Sequence, residues 1–231
     1  MKNIILIFIA SSFLTIDAFS QTEPSDSLPS IEFQRQIFIY GAAKKYNDKF
    51  TQLTALYNIL SYNPDNSAVL DSIALIYYDF QQYVSAALTS VDALILNPND
   101  ELATEIAAIS FEQLGAIDRS LPYYESLYLI NNNPALLYQI SFMQYQLKRY
   151  NEALTNVDIV LADSKVNESK ILFPVNENQE QQVSLGAAVL RLKGMVLENQ
   201  GDLVGAKEAF NQALIIAPDF ALLKEQLKNM N

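Results

Sequence analysis

A proline preceded by asparagine returns along this chain at a nearly fixed interval, and that interval limits the fold more than any single residue does. The pairs are Asn63-Pro64, Asn97-Pro98 and Asn133-Pro134, with Ala217-Pro218 as a late relative; the first two prolines stand 34 residues apart. A small residue recurs with them, at Ala86, Ser120, Ala153 and Ala206, in steps of 34, 33 and 53. A second series, Ala93, Leu127, Val160 and Ala213, takes the same steps. A period of this length marks an array of small units, none of which can bury its apolar face alone. The last step exceeds the period by 19 residues, so an insertion separates the fourth unit from the fifth.

Each unit reads as two helices. Leu70, Ile73, Ala74 and Tyr77 fall at i, i+3, i+4 and i+7, one face of a first helix. Ala86, Ala87, Ser90, Val91, Leu94 and Ile95 give a second helix its own stripe. Helix-start chemistry stands between them: Asp100 and Asn133 can cap, and Pro134 suits a first helical position. Gly201-Asp202 reads as a helix stop followed by a helix start. Small side chains let two backbones approach, which predicts close crossings at Ala74–Ala86 and Gly194–Ala206.

This pattern resembles the tetratricopeptide repeat. Residues 187–220 carry Leu190, Gly194, Leu197, Gly201, Ala206, Phe210, Ala213 and Pro218 at the signature places, and Gly201–Phe210 is especially close to the family. Residues 67–100 match through Leu70, Ile73, Ala74, Tyr77, Ala86, Ala93 and Pro98. The unit at 134–166 departs at one place, where Gln144 stands for the aromatic at position 11. The first unit is the poorest, with Tyr40, Gln52 and Ile59 in place of small residues. The resemblance implies an all-α, right-handed superhelix of stacked antiparallel helix pairs. Five units are expected, at 33–66, 67–100, 101–133, 134–164 and 187–218. An insertion at 165–186 is expected to be a lengthened helix pair with a surface loop, and 219–231 a solvating cap helix started by Asp219.

The first twenty residues read as an address. Lys2 precedes the apolar run Ile4–Ala10, extended by Phe13, Leu14 and Ile16, and Ala18-Phe19-Ser20 has the small-x-small form of a signal-peptidase site. As a helix the stretch from Ile4 to Ile16 would reach about 20 Å, short of a bilayer core of about 30 Å. An exported bacterial protein, periplasmic or secreted, is expected, with a disordered leader at 21–32 and no stable membrane insertion after cleavage.

The composition excludes much chemistry. The chain contains neither Cys nor His, which removes disulfides, thiolate zinc sites, a cysteine nucleophile and the commonest general base. Acidic residues number 26 against 15 basic ones, for a formal net charge of -11, the wrong sign for nucleic acid. No phosphate-cradling loop, nucleophile elbow or metal motif is present, so no cofactor, metal or catalytic residue is expected.

By the family's register the first helices line a groove. That places Asp71, Tyr78, Asp79, Glu105, Glu112, Tyr138, Phe142 and Tyr145 in a partner-binding surface. A subgroup of the family holds a peptide's terminal carboxylate with Lys, Asn and Arg; this aromatic and acidic groove departs from it. The expected function is a non-catalytic protein–protein interaction scaffold of the cell envelope, with a periplasmic chaperone or assembly factor as the alternative. The expected partner is a protein or peptide with apolar anchors and basic residues nearby. Intact mass of the exported chain is expected to place its first residue at Gln21; a mass that keeps residues 1–20 would overturn the export reading.

Overall fold

The computed structural model describes residues 30–176 and 179–229. The expected signal segment and the leader up to residue 29 lie outside the described residues. Five helix pairs follow one another: α1 (Ile31–Lys45) with α2 (Lys49–Tyr62), α3 (Ser67–Asp79) with α4 (Tyr83–Leu96), α5 (Glu101–Gln113) with α6 (Ile117–Asn131), α7 (Pro134–Gln146) with α8 (Tyr150–Leu161), and α9 (Leu185–Asn199) with α10 (Leu203–Ile216). A final helix, α11, runs Ala221–Asn229.

The turn inside each pair is the same turn. Asn47, Gln81, Gly115, Lys148 and Gly201 all have positive φ, between 55 and 87°. Behind each, one bond closes the end of the first helix: Asp48 N to Ala43 O, Gln82 N to Tyr77 O, Ala116 N to Phe111 O, Arg149 N to Gln144 O and Asp202 N to Leu197 O, at 2.8–2.9 Å. This six-to-one bond with a left-handed residue inside it is the Schellman stop. Only two of the five positions are glycine, so three side chains accept a conformation that costs about 1 kcal/mol. Helix starts are equally regular, with Ser30, Asp48, Asn66, Asp100, Asn133, Ser184 and Asp202 each accepting a backbone N–H of the first turn.

Small residues sit where the helices cross. Ala74 and Ala86 are fully buried and share a cluster with Ile106 of the next unit. At the fifth pair, Gly194 lies under the ring of Phe210, in the cluster that also holds Ala206. In the first unit the buried amide of Gln52 donates to Ala43 O at 3.3 Å, so the departure from a small residue is satisfied by a hydrogen bond. Successive first helices touch directly, α3 against α5 and α7 against α9, and so line the inner side of the array.

Three boundaries differ from expectation. The first helix begins at Ile31 rather than 33, because the Ser30 hydroxyl accepts from Phe33 N and caps it. The insertion is neither a lengthened helix pair nor a plain loop: β1 (Lys170–Asn176) and β2 (Gln179–Ser184) pair antiparallel, and α9 begins directly after β2. One face of this hairpin is apolar and packed. Val183 is buried, Ile171 and Phe173 pack on the cores beneath, and the Phe173 ring lies 4.9 Å from that of Phe220. Leu172 and Val175 point outward. Asp219 does not start the last helix. The Gln181 side chain of β2 does so, accepting from Ala221 N at 3.0 Å and donating to Asp219 O at 2.8 Å.

A methyl group added at Gly194 would stand 2.3 Å from Cε1 of Phe210, inside the contact distance of two carbons. Gly194→Ala is therefore expected to lose about 1–3 kcal/mol despite alanine's better helix propensity. Phe210→Leu in the same chain should return part of that loss. Urea midpoints measure both; a Gly194→Ala midpoint at or above that of the parent would contradict the crossing.

Candidate functional site

The inner side of the array carries two neighbouring sets of side chains. The first is acidic. Glu112, near the end of α5, is held at both oxygens: the Tyr124 hydroxyl of α6 donates to Oε2 and Gln139 Nε2 of α7 donates to Oε1, both at 2.5 Å. One carboxylate thus ties three helices. Burial pushes the Tyr124 hydroxyl up, and Glu112, Tyr78 and Glu105 add to it, so Tyr124 stays a donor. Beside it opens a cavity of about 370 Å³ lined by Glu101, Glu105, Ile109, Tyr124, Leu136 and Gln139. Glu105 is exposed. Asp79 is exposed as well, and is paired with Lys49 Nζ at 2.8 Å. Tyr78 is half-buried and meets Tyr83 edge-on at 6.0 Å.

The second set is aromatic. Phe142 and Tyr145, one turn apart on α7, stack at 6.2 Å, and Tyr150 of α8 continues the cluster at 6.1 Å from Tyr145. Both Phe142 and Tyr145 are partly exposed. The Tyr145 oxygen accepts from Asn199 Nδ2 of α9 at 3.2 Å. Arg191 of the same helix donates from Nε to Gln226 Oε1 of α11 at 3.1 Å, and its guanidinium carbon lies 6.0 Å from the Phe173 ring centre. Burial lowers the Arg191 pKa, while Tyr138 and Tyr145 oppose that change. Arg191 has no ion pair among the described residues.

Six of the eight residues expected in the groove are therefore exposed or half-buried, and two are buried. Asp71 is 7% exposed and Tyr138 is 9% exposed. Both sit on the flank of a first helix that meets the neighbouring unit, so their burial removes them from the lining. Burial pushes the Tyr138 hydroxyl up to about 12. Register alone cannot separate lining from flank, because the two differ by a fraction of a helical turn. The anchoring of Glu112 by Tyr124 and Gln139 was not expected either. Its only trace in the sequence is that Tyr124 and Gln139 are polar-tipped residues at packing positions.

Asp71 has a consequence for stability. Its Oδ1 is buried with no hydrogen-bond partner, and the group facing it is the carboxylate of Asp100, the cap of α5. Burial first, then the Asp100 charge, push Asp71 up from 3.8 to about 6. A folded-state pKa above the unfolded one means that folding takes up a proton between pH 4 and 6. Stability from this group then falls as pH rises through that window, and above it the charged form is the less favourable one in the fold. Asp71→Asn is expected to raise the urea midpoint at pH 7 and to leave it nearly unchanged at pH 4. Equal midpoints for the two chains at both pH values would show that Asp71 carries no such cost.

No family model matches the chain, and no curated protein matches it in sequence. Solved structures match it closely in shape. YrrB, a tetratricopeptide-repeat protein described as having an unusual peptide-binding site, superposes with a TM-score of 0.64 at 15% identity, over 84% of this chain and 90% of that one. A MamA protein superposes at 0.58 and 13% identity, over 82% of this chain and 93% of that one. A tetratricopeptide-repeat protein from Parabacteroides merdae superposes at 0.55 and 18% identity, over 85% and 71%. The chain has the tetratricopeptide-repeat fold, a solenoid of stacked antiparallel helix pairs.

Proposed function

We propose that this protein is a non-catalytic interaction scaffold, exported to the bacterial cell envelope, that docks a peptide or protein segment along the inner side of its helix array. The observation that carries the reading is the Phe142–Tyr145 stack, partly open to solvent on α7 and joined to α9 through Asn199. A packed core offers no reason to leave two stacked rings at a groove, whereas interface energy concentrates in such rigid aromatic anchors. Glu101 and Glu105 at the adjoining cavity favour a partner with Lys or Arg near its apolar anchors. The peptide-binding site described for YrrB supports a peptide as the class of ligand. The apolar run after Lys2 and the Ala18-Phe19-Ser20 sequence support export. No helix among the described residues is long and apolar enough to cross a membrane.

A photo-crosslinking residue at position 145, in the protein expressed in its own envelope, tests the groove. One discrete adduct is expected, and Phe142→Ala should abolish it. The thermal midpoint of Phe142→Ala should stay within a few degrees of the parent, since removing a half-exposed ring creates little cavity. A stable Phe142→Ala chain that still gives the full adduct would move the docking surface away from these rings. Glu105→Lys should slow association with the adducted partner and flatten its salt dependence.

A further inference from the structure

The third and fourth helix pairs differ at two matching places. In the third, Phe111 of α5 stacks on Tyr123 of α6, with ring centres 5.8 Å apart and planes 14° from parallel. In the fourth, 33 residues on, the same places hold Gln144 of α7 and Asn156 of α8. Asn156 Nδ2 donates to Gln144 Oε1 at 2.9 Å, so two amides stand where two rings close on each other. Against this pair lies a recess of about 360 Å³, walled by Tyr128 and Leu129 of α6 and Leu137 and Ile140 of α7. It opens on the side of α7 away from Phe142 and Tyr145.

The amide pair leaves polar capacity unused. The bond between the two side chains consumes one donor and one acceptor. Gln144 Nε2 and Asn156 Oδ1 take no protein partner among the described residues, and neither atom is sealed from the recess, although Gln144 is only 3% exposed and Asn156 half-buried. Exchanging nitrogen and oxygen in both amides preserves their bond and still leaves one free donor and one free acceptor. A ligand that enters the recess removes these atoms from solvent, so it must offer them hydrogen bonds of its own. One donor beside one acceptor is the complement of a peptide group. The walls are apolar, and the volume is at the lower end of ligand pockets, which begin at about 300 Å³.

We propose that this recess is a second binding site, on the outer side of the array, for an extended segment of a partner protein. The segment inserts one aliphatic side chain between Leu129, Leu137 and Ile140 and sets its own peptide group against Gln144 and Asn156. Glu125 and Glu152 line the same recess, and Glu152 is ion-paired with Arg149. A neutral or basic residue beside the anchor is therefore favoured over an acidic one. The site does not depend on the groove: its residues lie on α6, α7 and α8, and none belongs to the Phe142–Tyr145 set.

The probe is N-acetyl-leucine N-methylamide, one aliphatic side chain between two peptide groups, titrated into the isotopically labelled protein and followed by NMR. The expected result is a saturable shift of the Gln144 and Asn156 side-chain amide signals and of the Leu129, Leu137 and Ile140 methyls. N-methylacetamide, which lacks the side chain, should bind at least about tenfold more weakly. Gln144→Phe with Asn156→Tyr restores the ring pair of the third unit and should remove the shift while the chain keeps its unfolding midpoint. Leu129 is 79% exposed at the mouth, so Leu129→Glu tests the same point without touching the core, and should weaken the probe about tenfold. Absence of a saturable shift in the parent overturns the proposal. So does undiminished binding to either folded variant, or a shift pattern confined to Phe142 and Tyr145. Phe142→Ala should leave probe binding unchanged, which keeps a failure of this site distinct from a failure of the groove.

Discussion

The left-handed residue between the two helices of each pair is the constraint on which the array depends. A Schellman stop ends the first helix and returns the chain antiparallel, so that Ala74 can reach Ala86 and Gly194 can reach Phe210. Close contact at those crossings in turn sets the distance between helices within a pair. The stacking of one pair on the next then follows from what those helices leave uncovered, as Ile106 shows by filling the space beside Ala74 and Ala86. Three of the five turns hold this conformation without glycine, at Asn47, Gln81 and Lys148. The packing on either side is strong enough to impose it.

The fold was legible because its information is periodic. Two residue series with the same offsets located the helix pairs, and capping residues such as Asp100, Asn133 and Asp202 marked their starts. The hairpin was not legible in the same way. Lys170–Asn176 is short, contains Pro174, and alternates only weakly; its strand character comes from Val183 and Phe173 finding the gap between two cores, a property of the assembled array. A repeat register says which helix a residue is on and roughly which way it faces. It puts Phe142 and Tyr145 in one set with Asp71 and Tyr138, and does not reveal that the first two stay partly exposed on α7 while the last two are buried. Gln144 was visible as a departure from the aromatic pattern. Its meaning required Asn156, twelve residues on and across a helix boundary.

Polar groups in this protein act mostly as joints. Glu112 binds three helices through Tyr124 and Gln139, Gln52 binds the first pair through Ala43, and Arg191 reaches from α9 to α11 through Gln226. Each is a bond between elements that the apolar stripes alone would leave free to slide. A solenoid has no long-range contacts to fix its curvature, because each unit meets only its neighbours. The bonds that cross from one unit to the next, Gln139 to Glu112 and Arg191 to Gln226, supply that fixity, while those within a pair hold its two helices in register.

The cap that β2 provides for α11 makes the stability of one element conditional on the other. The last helix has no starting residue of its own; its first free N–H is met by Gln181, and Phe220 just before it rests on Phe173. The hairpin and the last helix are therefore expected to form or fray together, although Gln181 and Ala221 stand 40 residues apart. Opening of α11 would bare the Phe173 ring that Phe220 covers. Exposure of that apolar face would report the loss of this cap to the chaperones and proteases that read such surfaces.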